Sequence, residues 1–84
     1  MDNDDENLQE CEYTWNDFVI IKDEAPEQFH PGTIGVVCGM SKIKFEHIAK
    51  KYHSKLGDWI YTVEFGNGSD IQVAGCFLEK YLGA

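Results

Sequence analysis

The segment GDWIYTVEFGNGSDIQV, Gly57 to Val73, leaves a chain few ways to fold. Trp59, Tyr61, Val63 and Phe65 are large and apolar, and they alternate with a mixed set, Asp58, Ile60, Thr62 and Glu64. A period of two puts each set on one face of a β-strand. The odd set is expected to face a core and the even set, Ile60 included, to face outward. Asn67-Gly68 supplies the left-handed positions of a tight hairpin turn. Ser69 to Val73 then returns as a second strand, with Ile71 and Val73 inward.

The remaining segments read as shorter pieces of the same kind. DFVIIK, residues 17–22, is a strand of β-branched and aromatic residues. Pro26, Pro31 and Gly32 make the following stretch a loop, long for a hairpin connection. In TIGVVCG, Ile34, Val36 and Cys38 fall on one face, and Gly35, Val37 and Gly39 on the other. The first set is the apolar one, and the glycines mark a bulge or sharp coil. Residues 41–53 change period: Phe45, Ile48, Ala49 and Tyr52 share one face of a helix. Ser41 is its expected N-cap and Gly57 its stop, which gives a helical insertion over about 41–55. CFLEKYL suits one helical turn and a last strand. Together these make a mostly β domain, a small five-stranded barrel with one inserted helix.

PGTIGVV after an apolar strand, the hairpin, and the closing FLEKYL resemble the SH3-like barrel found as a domain of the nitrile hydratase β subunit. The same superfamily includes photosystem and thioredoxin-reductase accessory subunits, and some toxin-immunity proteins look like it. The resemblance covers residues 17–82. It implies a barrel that docks on another protein. It carries over no activity, because the metal-binding cysteine cluster of nitrile hydratase lies on the other subunit and no catalytic residue maps onto this chain.

Charge divides the 84 residues unevenly. The formal net charge is −8. Residues 1–12 hold six acids and no base, and are expected to form a disordered acidic tail; residues 13–84, the barrel, hold nine acids and seven bases. Five lysines fall between positions 42 and 55. An acidic total disfavours general nucleic-acid binding. The three cysteines, Cys11, Cys38 and Cys76, form no Cys-x-x-Cys pair. That argues against a disulfide framework and a zinc site, and for a reducing, cytoplasmic compartment. No apolar run reaches membrane-span length, and the acidic start resembles neither a signal peptide nor a basic transit peptide.

Catalytic constellations are missing from this reading. His47 and His53 stand six apart on the expected helix, off the metal spacing of four, and His30 sits in the loop. Cys38 and Cys76 lie in apolar segments, where thiols behave as small hydrophobes. GNG is a turn that opens no helix, so it is no phosphate cradle. The chain is therefore expected to be non-enzymatic, with no cofactor and no metal. Its expected role is that of a protein-binding module, of immunity or accessory-subunit type. The candidate contacts are Asp23, Glu24, Glu27, Phe29 and His30 of the Pro-rich loop with Trp15, and Ile60 as a further exposed apolar residue. Their charge suits a basic partner. The alternative is a nucleic-acid-binding barrel that uses Lys42, Lys44, Lys50, Lys51 and Lys55.

Overall fold

The computed structural model describes residues 12–83. The expected acidic tail, apart from Glu12, lies outside them, as does Cys11. Five antiparallel strands form one sheet: β1 (Phe18–Ile21), β2 (Ile34–Lys42), β3 (Trp59–Phe65), β4 (Asp70–Ala74) and β5 (Leu78–Lys80). Their spatial order is β4-β3-β2-β1-β5, and β4 and β5 do not pair with each other. One short helix, α1 (Glu46–Lys51), and two 3₁₀ turns, Glu27–Phe29 and Gly75–Phe77, complete the fold. The single turn and last strand expected of CFLEKYL are both present. No helix among the described residues is long and apolar enough to cross a membrane.

Strand β2 decides where everything else faces. Its register against β3 shifts between Val37 and Gly39, which leaves Cys38 as the extra residue of a β-bulge. Before the bulge Gly35 and Val37 point inward and are buried; after it Met40 stands opposite the buried Tyr61. The bulge thus turns the strand over, and the inward set changes from odd to even. A strict period of two assigns Ile34, Val36 and Cys38 to the core, and the structure reverses this: Ile34 is 39% exposed and Cys38 half-buried. Gly35 is required by close approach. A Cβ there would stand 2.5 Å from Val63 Cγ1 and 2.7 Å from the Glu64 carbonyl oxygen.

The bulge also explains why the helix is shorter than its sequence pattern. With its phase restored against Trp59–Tyr61, β2 continues through Ser41 and Lys42, so Ser41 is a strand residue and not an N-cap. Phe45 takes the N-cap position, with extended backbone and no side-chain cap. The helix ends at Lys51, well before Gly57. His53 adopts a left-handed φ of 58°, and the Ser54 N–H donates to the Ala49 carbonyl at 2.8 Å, the closing bond of a Schellman turn. The hairpin turn also differs from a two-residue turn. Gly66, Asn67 and Gly68 form its loop, only Gly68 is left-handed (φ 93°), and the Phe65 N–H donates to the Ser69 carbonyl at 2.8 Å while the Phe65 carbonyl accepts from the Gly68 N–H at 3.0 Å. The Asn67 side-chain oxygen accepts from the Ser69 N–H at 3.0 Å and fixes this turn.

Two apolar clusters result. The larger gathers Val19, Ile21, Val37, Tyr61, Val63, Val73 and Leu78 on the inner face of the sheet. Tyr13 closes it, with its ring edge-on to Tyr61 at 5.3 Å and its hydroxyl donating to the Leu78 carbonyl at 3.1 Å. The Tyr61 hydroxyl in turn accepts the N–H of Glu12 at 2.9 Å. The smaller cluster holds Ile43, Ala49 and Ile60. Ile60, expected outside, is 6% exposed, because α1 covers that face of β3. Ile43 is fully buried where its N–H donates to the Asp58 carbonyl.

Phe29 joins the loop to the helix. It is 3% exposed, stacks on Tyr52 at 6.3 Å, and meets His53 edge-on at 6.1 Å and Phe77 at 5.8 Å. Phe29→Ala should therefore cost about 3–5 kcal/mol in urea denaturation; a cost below about 1 kcal/mol would mean that the loop and α1 do not depend on it. A second expectation concerns pH. Burial first, and then the Glu12 carboxylate, push the Tyr13 phenol up to about 12 from an ordinary 10.0. The folded state thus favours the neutral phenol. This contribution should be complete below pH 10 and lost as pH rises through 12, and the decline should flatten in Tyr13→Phe. An unchanged slope in that variant would refute the assignment.

Candidate functional site

The outer face of the sheet carries the most unusual surface. An antiparallel sheet with one face on a core ordinarily presents polar residues on the other. Here β1 and β2 present apolar ones. Phe18 stands opposite Val36, and Ile20 opposite Ile34. Tyr81 extends the first row, its N–H donating to the Phe18 carbonyl at 2.9 Å. Phe18 is 55% exposed. Ile20, Val36 and Tyr81 are half-buried. A shallow groove of about 310 Å³ runs between Phe18, Ile34, Val36 and Phe65. Acidic residues flank the rows: Glu64 opposite Val36 and Glu79 opposite Ile20, both exposed.

This face is a direct consequence of the bulge. Because Val37 goes inward, Ile34 and Val36 must go outward, and the alternation of β1 places Phe18 and Ile20 beside them. The sequence held the signal, since a strand with apolar residues on both faces must expose one set or cover it with a second layer. No element of the described chain covers this one.

The candidate contacts read from the sequence fare differently. Asp23, Glu24, Glu27 and His30 are exposed on the loop, and Trp15 is exposed before β1. His30 holds a left-handed φ of 60° and meets Phe65 edge-on at 6.1 Å. Phe29 is a core residue, and so no surface anchor. Its apolar ring finds more area to bury against Tyr52 and Phe77 than the loop surface offers. Of the lysines, Lys44, Lys50, Lys51 and Lys55 are exposed and Lys42 is half-buried at the end of β2. His47 is exposed against Phe45. Among the described residues no three His, Cys, Asp or Glu side chains converge as a metal site would require.

Neither described cysteine is a fully buried hydrophobe. Cys76 is exposed at the second 3₁₀ turn, beside a cleft lined by Glu12, Lys55, Asp58 and Trp59. Its thiol donates to the Ser54 hydroxyl at 3.8 Å, and Ser54 donates in turn to Asp58 Oδ2. Partial burial pushes the Cys76 thiol up; the Ser54 hydroxyl offsets this in part and the Asp58 carboxylate adds to it. Cys38 is pushed up by burial and by the Glu64 and Asp70 carboxylates. Both groups are therefore poor thiolates at neutral pH, the reverse of what nucleophilic catalysis needs.

A scan against protein-family models finds no match for this chain, and searches of curated proteins and of solved structures find none either.

The thiol environment is open to a direct check. Iodoacetamide should alkylate Cys38 and Cys76 more slowly at neutral pH than it alkylates an unperturbed thiol, with rates rising above pH 9. Asp58→Asn should speed Cys76 alone, since the carboxylate holds the proton on sulfur; equal rates in the two proteins would remove Asp58 from that role.

Proposed function

We propose that this chain is a non-enzymatic protein-binding module on an SH3-like barrel, docking on a basic partner in the manner of an immunity or accessory-subunit protein. One observation carries the reading: the exposed apolar rows of Phe18, Val36 and Tyr81 with Ile34 and Ile20, on a face that would ordinarily be polar. An exposed apolar patch rimmed by charge is the usual form of a protein interaction site. The rim here is Glu64 and Glu79, and the whole chain carries −8. Both favour a partner with an apolar centre and a basic border. They disfavour a second copy, which would bring glutamates against glutamates.

The barrel itself is part of the proposal. The order β4-β3-β2-β1-β5, a bulge that bends β2, and a 3₁₀ turn that carries the chain from β4 across to β5 suit a sheet coiled on itself. The resemblance to the nitrile hydratase β-subunit barrel rests on PGTIGVV, the hairpin and FLEKYL, and it supports the same reading. A barrel holds its inner face for the core and leaves the outer face of β1 and β2 for contact.

The test is photo-crosslinking in the native cell, with a photoreactive phenylalanine analogue in place of Phe18 or Ile34 and, as control, Asn67. One basic protein should be captured from positions 18 and 34 and not from 67. Phe18→Asp should abolish capture at position 34 and change stability by less than about 1 kcal/mol, since the side chain is exposed. An adduct with a second copy of the chain, capture from Asn67 alone, or no capture would each sink the proposal.

A further inference from the structure

A second surface differs from the sheet face in the sign of its charge, and its observations are independent of that face. Where β2 passes into α1, a cleft of about 360 Å³ is lined by Lys42, Lys44, Lys51, Phe45, Ile48 and Tyr52, with no carboxylate among its walls. Phe45 is the notable member. The helical pattern assigns it to the core, but as N-cap it sits ahead of the helix and is 62% exposed, its ring meeting that of His47 at 5.8 Å. Among the described residues none of the three lysines pairs with a carboxylate; the ion pair between Lys80 and Asp17 lies elsewhere. Among the described residues, three cations without a carboxylate partner thus line one cleft with an exposed aromatic ring.

Gathered like charges repel, and an anionic ligand relieves them. A phosphate chain and a run of carboxylates both supply the charge, and three features favour the carboxylates. All seven basic residues of the chain are lysines, so it has no arginine fork for phosphates or base edges. Single-stranded nucleic acid needs successive stacking platforms, and here only Phe45 offers one. The Tyr52 ring is stacked on Phe29, lies under the Lys51 ammonium at 5.7 Å, and its hydroxyl donates to Gln72 Oε1 at 2.9 Å. A mixed cleft with one aromatic ring and an aliphatic wall at Ile48 fits an extended peptide, in which an apolar side chain sits between acidic ones.

We infer that this cleft binds an acidic segment of a partner protein, with Lys42, Lys44 and Lys51 taking its carboxylates and Phe45 and Ile48 its apolar side chain. The module would then join two proteins of opposite charge, one on the sheet face and one here.

The experiment is an amide chemical-shift titration of the full chain at low salt. The probes are a short synthetic peptide of Asp and Glu around a single Leu, and an oligothymidylate of matched charge. The peptide should bind saturably, shift Lys42, Lys44, Phe45, Ile48 and Lys51, and weaken as salt is added. Lys44→Glu or Lys51→Glu should weaken it about tenfold, and Phe45→Ala several-fold, while thermal unfolding confirms that each variant is folded. A charge-neutralised full chain, with Asp2, Asp4, Asp5, Glu6 and Glu10 changed to their amides, should bind the peptide within about twofold of the native chain. The inference is overturned if the oligothymidylate binds as tightly as the peptide, which would assign the cleft to nucleic acid. It is overturned if the neutralised chain gains tenfold or more, which would make the chain's own acidic residues the occupant. Peptide shifts outside the cleft, or no peptide binding, overturn it equally.

Discussion

The bulge at Cys38 is the constraint from which the other features follow. One extra residue in β2 reverses which side chains face inward halfway along the strand. Up to Val37 the strand serves the core that surrounds Tyr61; beyond it the strand keeps Met40 against the same ring and hands the chain on to Ile43 and α1. Without the extra residue, Met40 and Ile43 would exchange faces with their neighbours, and α1 would have no apolar seat against Ile60. A small sheet gains curvature from the same device, because a bulged strand bends and twists more strongly than a regular one.

The two insertions hold each other. The long Pro-containing loop and the lysine-rich helix are separate in the sequence, one acidic and one basic. Phe29 reaches from the first into the second, between Tyr52, His53 and Phe77. The Lys22 N–H ties the loop to the second 3₁₀ turn through the Phe77 carbonyl at 2.8 Å. Surfaces of opposite sign are thus fixed relative to each other by buried aromatic contacts, which salt does not screen.

Much of this was legible in the residues. The alternation from Trp59 to Phe65 placed Tyr61 and Val63 inside, the apolar run of Phe18 to Ile21 gave β1, and CFLEKYL gave a single turn and a strand. The misplaced residues share one cause. Ile34, Val36, Ile60 and Phe45 were each assigned by local period, and each was decided by something distant. The bulge turned Ile34 and Val36 outward, a helix from elsewhere in the chain covered Ile60, and the pairing of Ser41 and Lys42 with β3 shortened the helix and left Phe45 ahead of it. Phe29 erred in the opposite direction. A lone aromatic in a polar loop reads as a surface anchor until the loop is seen to fold back on the core.

The sequence by itself determined the class of this protein, a small mostly β domain with a strong central hairpin, and the separation of its charge into acidic and basic segments. Those properties depend on near neighbours along the chain: the alternation of side chains on a strand, the φ of a turn glycine, the sum of local charges. Tertiary structure decided which apolar residues remain in water, and with them both candidate binding faces. Exposure depends on what the rest of the chain covers, and with period-two strands a single inserted residue is enough to exchange the buried set for the exposed one.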